Sequence, residues 1–181
     1  YWKKYRWTGL VCKELGYETA ALTDFASVSG AVKFVQECEK NDINPILGCE
    51  IPLKTSNNTT ITLICKNEKG WGKLLEIVSA CNDADNFKKH PAIPIDQLFE
   101  LVDDNFICID GYVGSALFNE LVEDNKCIYS CSEYDEAAEC LKREYSKDAV
   151  VHIATFREKF GDDYYLEINK LDSETFAATK L

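Results

Sequence analysis

Four polar side chains stand where apolar, strand-like runs end. Asp24 follows Ala20–Thr23, Glu50 lies at the end of Ile46-Leu47-Gly48-Cys49, Asp110 follows Phe106–Ile109, and Asn169 follows Tyr164–Ile168. In folds that alternate strands with helices, sites are built at the carboxyl edge of the strands. Carboxylates gathered there repel one another, so they need a divalent cation or shared protons. A metal site, whole or reduced, is the chemistry these residue types would perform. Each residue also has a plainer role open to it. Asp24 can cap the next turn, Asp110-Gly111 can be a turn and nothing more, and Glu50 can sit at a strand mouth in water. His90, beside Pro91 in a polar stretch, reads as an exposed histidine. His152, inside Ala149–Ala154, reads as a packed or surface strand residue.

The elements that must position these groups alternate along the chain. A helical stretch, Thr8–Leu15, closes on Gly16, and a short strand, Ala20–Thr23, leads into the polar turn Asp24–Gly30. Val32, Val35 and Cys38 recur at helical spacing among charged residues. Pro45–Leu53 is a strand, Ser56-Asn57-Asn58 a hairpin turn, and Ile61–Cys65 the returning strand. Trp71, Leu74, Leu75 and Val78 form a helix face, followed by a looser stretch from Asn82 to Pro94. Phe106–Ile109 is a strand, Ser115–Val122 a helix and Lys126–Ser130 a strand. Ser132 caps a helix over Tyr134–Tyr145. Ala149–Ala154 reads as a strand, Thr155–Phe160 as a short helix and Tyr164–Ile168 as a last strand. The pattern predicts an α/β fold with a largely parallel sheet, open or closed into a barrel.

Composition limits the function. The 181 residues suit one domain, and 46% hydrophobic with 28% charged residues is an ordinary globular balance. The net charge of −11 repels phosphate backbones, so strong direct nucleic-acid binding by this segment is not expected. No apolar run reaches the roughly 20 residues of a membrane span, and a soluble protein is expected. Nine cysteines, an odd number, sit mostly in apolar runs, which fits free thiols in a reducing cytoplasm better than a disulfide framework. Cys127 and Cys131 lack the second pair or nearby histidine of a zinc site and read as structural. There is no methionine, even at Tyr1. The chain is therefore expected to be a piece of a longer protein, or one from which modified residues such as selenomethionine were dropped.

Three segments in order carry a resemblance: Leu15-Gly16-Tyr17-Glu18-Thr19-Ala20-Ala21-Leu22-Thr23-Asp24, Gly30-Ala31-Val32-Lys33-Phe34, and Asn44-Pro45-Ile46-Leu47-Gly48-Cys49-Glu50. Weaker pieces follow in the right order: Ile64–Gly70, Asp110-Gly111-Tyr112-Val113-Gly114, and Phe160–Ile168. From about Leu10 to about Asn169 the chain resembles the PHP (polymerase and histidinol phosphatase) domain at the amino end of bacterial and phage replicative DNA polymerase III alpha subunits. The resemblance implies a distorted (β/α)7 barrel, incomplete here, with residues 1–181 forming its amino-terminal and middle part. It also implies up to three divalent metals at the strand ends, which active members use to hydrolyse phosphate esters.

Against that pattern the chain has lost ligands. Tyr1–Trp7 contains no His-x-His, the histidine after Asp24 is Phe25, and the cysteine of the Ser-Gly-Cys segment is Tyr112. Asp24 and Glu50 match the pattern, Asp110 stands at a strand end, and His90 falls where a family histidine can lie. Phenyl and phenol rings supply no imidazole or thiolate, so a complete cluster is not expected. The leading expectation is thus a degenerate PHP domain of a replicative polymerase, a nucleotidyltransferase in its other parts. This segment would be non-catalytic and without cofactor, packed on the polymerase body in cis or docking a proofreading exonuclease. Exposed apolar surface is expected where the rest of the barrel would close. The alternatives are a metal-dependent phosphoesterase or 3′–5′ exonuclease holding Mn²⁺, Mg²⁺ or Zn²⁺ in a reduced site, and a stand-alone acidic interaction protein.

Overall fold

The computed structural model describes residues 10–55, 59–111, 115, 117 and 147–167. A short helix, α1, spans residues 10–14 and ends through Gly16, whose φ of +75° is the left-handed conformation that terminates helices. Strand β1 (Thr19–Phe25) follows, then helix α2 (Ala31–Lys40), then strand β2 (Asn44–Pro52). Strand β3 (Thr60–Cys65) leads into helix α3 (Glu68–Cys81), capped by the Asn67 side chain accepting from the Gly70 N–H. Helix α4 (Ile95–Leu101) and strand β4 (Phe106–Asp110) come next. Helix α5 (Lys147–Phe160) runs through a single 3₁₀ turn (Gly161–Asp163) into strand β5 (Tyr164–Leu166).

The strands form one sheet in the order β1-β2-β3-β4-β5. An α/β fold is therefore present, and the sheet with its helices is consistent with part of a barrel wall. The expectation of a largely parallel sheet is corrected. β1–β2 and β4–β5 are parallel, whereas β2–β3 and β3–β4 are antiparallel. β2 ends at Pro52 and β3 begins at Thr60, and so short a stretch of sequence between paired strands suits an antiparallel pair, whereas a parallel pair needs a crossover of about a dozen or more residues. The second reversal follows from α4, which lies just beyond the loose stretch Asn82–Pro94 and is not among the elements the sequence predicts. α3 carries the chain to the far edge, α4 brings it back, and the Lys66 N–H donates to the Asn105 carbonyl at 2.9 Å. With two helices between them, β4 starts beside the point where β3 ended and must run the other way.

A second correction concerns residues 149–154. They are not a strand but the middle of α5, continuous with the helix read for Thr155–Phe160. Ala149, His152, Phe156 and Phe160 are buried at steps of three and four residues, the spacing of a helix stripe. The apolar run Ala149–Ala154 imitates a strand only when its window stops short of the two phenylalanines. The helix and strand read for Tyr134–Tyr145 and Lys126–Ser130, and Cys127 with Cys131, lie outside the described residues, as does most of Ser115–Val122.

Core residues share one face of the sheet. Cys49 and Ile51 of β2, Ile61 and Leu63 of β3, and Phe106 and Cys108 of β4 pack with Leu74, Ile77, Leu98, Phe156 and Phe160 of α3, α4 and α5. On the same face, Ala20, Leu22 and Leu47 pack against Phe34, Cys38 and Ile43. Burying these side chains contributes about 1.5–3 kcal/mol each. The opposite face carries Phe25, Glu50, Thr62, Ile109 and Tyr165 in one cross-strand row. Phe25 and Tyr165 are half exposed there, at 50% and 53%.

Candidate functional site at the carboxyl edge of the sheet

β1, β2, β4 and β5 all point the same way, so their carboxyl ends lie at one edge. Asp24, Glu50 and Asp110 are all at or near that edge, as their positions in the sequence predict. Register then separates them. Asp24 pairs with Cys49, and Phe25 pairs with Glu50. Successive strand residues face opposite sides, so Asp24 lies with the core face and Glu50 with the other. Asp110, two residues beyond Cys108, also belongs to the core face.

Glu50 is half-buried, and Thr60 Oγ1 donates to its Oε1 at 2.8 Å. That contact meets the requirement that a carboxylate withdrawn from water keep a partner. Thr60 also forms an isolated parallel bridge to Ser115. The turn after β1 is fastened to the same strand end. Ala26 N–H donates to the Glu50 carbonyl at 2.9 Å, with Ala26 at φ +47°, a conformation strained for a residue bearing a Cβ. Cys49 Sγ donates to the Asp24 carbonyl at 3.1 Å.

Asp110 has a different setting. It is fully buried, and its two oxygens serve three donors. Oδ1 accepts from the Gly111 N–H at 2.7 Å. Oδ2 lies 2.7 Å from His152 Nε2 and accepts from the Tyr164 hydroxyl at 3.1 Å. Gly111 takes φ +92°, and its N–H also reaches Ser115 Oγ at 3.2 Å. A Cβ at Gly111 would stand 3.3 Å from the Glu167 carbonyl. His152, read from sequence as a strand residue, is instead a buried helix residue whose ring stacks on Phe156 at 4.3 Å between centroids. Sequence reading also passed over Thr60, Ser115 and Tyr164. Nothing in their types marks them, because their role comes from strand pairing between distant segments.

His90 is exposed in the loop between α3 and α4. Tyr112 and Asn169 lie outside the described residues. Among the described residues, no three His, Cys, Asp or Glu side chains gather to hold a metal ion. Asp24 and Glu50 diverge across the sheet, and Asp110 is engaged by three donors, two of them on Oδ2. Asp24 and Asp110 thus lie with the core face of the sheet and Glu50 with the opposite face.

The sequence matches the family model of the PHP domain over residues 11–171. The chain belongs to the PHP domain family. It is 25% identical over 182 aligned positions to the DNA polymerase III subunit alpha of Chlamydia pneumoniae, covering 93% of this chain and 13% of that protein. To the corresponding subunit of Borreliella burgdorferi it is 29% identical, over 87% of this chain and 13% of the relative. To that of Helicobacter pylori it is 27% identical, over 86% and 13%. This PHP domain thus spans about an eighth of the length of these curated relatives. Within the family frame, Phe25 occupies the position after Ala-Leu-Thr-Asp, and the structure sets it directly beside Glu50.

Six cysteines are free among the described residues: Cys12, Cys38, Cys49, Cys65, Cys81 and Cys108. Burial pushes the Cys49 and Cys65 thiols up to about 11 and the Cys81 thiol up to about 12. Burial, and after it the charge of Asp110, raises Cys108 well above its ordinary value. The thiolate is the reactive form, so these groups are chemically quiet. Iodoacetamide at pH 8 is expected to label Cys12 well before Cys49, Cys81 or Cys108, as read by peptide mass mapping. The sign of the pH effect follows. Between 9.0 and about 12 the unfolded chain ionises its thiols while folded Cys81 stays neutral, so stability falls as pH rises through that window.

Proposed function

We propose that this chain is the PHP domain of a replicative DNA polymerase III alpha subunit, and that it is non-catalytic. It packs against the polymerase body in cis and offers a docking surface to a proofreading exonuclease. The polymerase assignment is supported by relatives that carry this name and match most of this chain with only 13% of their own length. The non-catalytic reading rests on one observation above others. The neighbour of Glu50 in the strand register is the half-exposed phenyl ring of Phe25, where an imidazole would be needed to share a metal. Phenylalanine cannot ligate, and Asp24 turns to the other face. The acidic surface favours protein contacts over DNA contacts. Six free thiols suit a reducing cytoplasm. Among the described residues no helix is long and apolar enough to cross a membrane.

One experiment separates the readings. The full-length protein that carries this chain is given a primed template with a labelled 3′ end, in Mg²⁺, Mn²⁺ or Zn²⁺, as wild type and as Glu50→Gln. The expected result is equal primer extension by both and no Glu50-dependent release of 3′ nucleotides. Excision that disappears in Glu50→Gln would replace this proposal with a metal-dependent phosphoesterase. Absence of primer extension would leave an interaction module.

A further inference from the structure

Asp110 stands at a strand end where the sequence suggests a metal ligand, yet its surroundings are those of a hydrogen-bonded centre. Its carboxylate is fully buried at the junction of β4, α5 and β5. Oδ2 meets His152 Nε2 at 2.7 Å and the Tyr164 hydroxyl at 3.1 Å, while Oδ1 takes the Gly111 N–H at 2.7 Å. A carboxylate oxygen offers two lone pairs, and both on Oδ2 are engaged. An N···O separation of 2.7 Å is that of a charge-assisted hydrogen bond. The backbone of Asp110 is tied as well, since its carbonyl accepts from the Glu167 N–H at 2.7 Å.

We propose that Asp110 is the acceptor at the centre of a structural lock, with His152 and Tyr164 as its donors, and does not act as a metal ligand. The lock fastens α5 and β5 onto the end of β4. His152 and Tyr164 lie 42 and 54 positions beyond Asp110, so no local signal can set the register. The face of the His152 ring stacks on the Phe156 ring, which holds the plane of the imidazole in which Nε2 meets the carboxylate. Ser115 Oγ accepts from the same Gly111 N–H at 3.2 Å and closes the turn beneath Asp110. Phe156 and Phe160 pack α5 into the core through contacts that are not directional. A buried, directional pair sets one position, the use of internal polar groups best supported in other folds.

The test compares Asp110→Asn, His152→Gln and the double variant with the wild-type chain by urea unfolding, each with and without MnCl₂ or ZnCl₂. Removing one partner of a buried pair is expected to raise the unfolding constant about two hundredfold or more. The double variant is expected to lie close to the worse single variant, because the two side chains act on each other. Neither metal is expected to raise the wild-type midpoint. Two outcomes would overturn the proposal: additive single effects, or a metal-induced rise in wild type that Asp110→Asn abolishes. Should both single variants fail to fold, Tyr164→Phe removes one donor and keeps the ring. It is expected to raise the unfolding constant about tenfold, and no change there would equally overturn the proposal.

Discussion

Replacing Gly48 with alanine is expected to destabilise the fold by about 3 kcal/mol, the upper end for overpacking a close-packed site. Gly48 lies in β2 where that strand passes from its pairing with β1 alone to pairing with β3 as well. A Cβ built there would stand 2.3 Å from the Leu63 carbonyl oxygen and 2.8 Å from Ile64 Cδ1. The side chain of Ile64 can rotate away, but the carbonyl belongs to the ladder and cannot move without breaking the β2–β3 register. Such a loss is a large share of the about 5–15 kcal/mol that holds a domain together. Gly72 provides the control of opposite sign. It lies in α3 with nothing within 4 Å of its would-be Cβ, so Gly72→Ala is expected to stabilise by about 1 kcal/mol. Both are read as midpoint shifts in urea unfolding. Equal and small effects of the two changes would show that β2 and β3 do not approach as closely as described.

The same glycine shows what the sequence could and could not tell. Pro45-Ile46-Leu47-Gly48-Cys49-Glu50 was legible as a strand carrying a carboxylate near its end, and the structure keeps that strand. That Glu50 and Asp24 face opposite ways was not legible, because it depends on the pairing of Asp24 with Cys49 rather than with Glu50. A shift of one residue would have put both carboxylates on one face. The antiparallel pairing of β2 with β3 was legible from the turn-forming residues Ser56-Asn57-Asn58 between them. The second antiparallel pair was hidden behind α4, whose Pro94-Ile95-Asp96 start continues a breaker-rich loop without a polar N-cap side chain. His152 illustrates the same limit for the site. Its neighbours Val150, Val151 and Ile153 suggest alternation, and only the reach to Phe156 and Phe160 discloses a helix. Its partner Asp110 is 42 residues away, and no spacing rule connects the two.

Phe156 is where that helix is anchored, and Phe156→Ala is expected to cost about 3–5 kcal/mol, as for large aromatic residues removed from a core. The side chain is 1% exposed. Its ring meets Phe99 of α4 edge-on at 5.1 Å, stacks on His152 at 4.3 Å, and lies 5.8 Å from Tyr164 and 6.2 Å from Phe160. Two of those neighbours, His152 and Tyr164, are the donors to Asp110. Loss of the ring therefore removes packing and loosens the two hydrogen bonds that depend on it. Val151→Ala on the solvent side of the same helix, where the side chain is 63% exposed, is expected to change stability by no more than about 0.5 kcal/mol. Hydrogen exchange then distinguishes a general loss of stability from a local one. In Phe156→Ala the amides of Gly111 and Glu167, both bonded to Asp110, are expected to exchange faster than those of β2 and β3 relative to wild type. Uniform acceleration across the sheet would mean that α5 is one part of a single cooperative unit. Acceleration confined to the β4–β5 end would place the least stable joint of the fold at the carboxyl edge of the sheet, around Asp110.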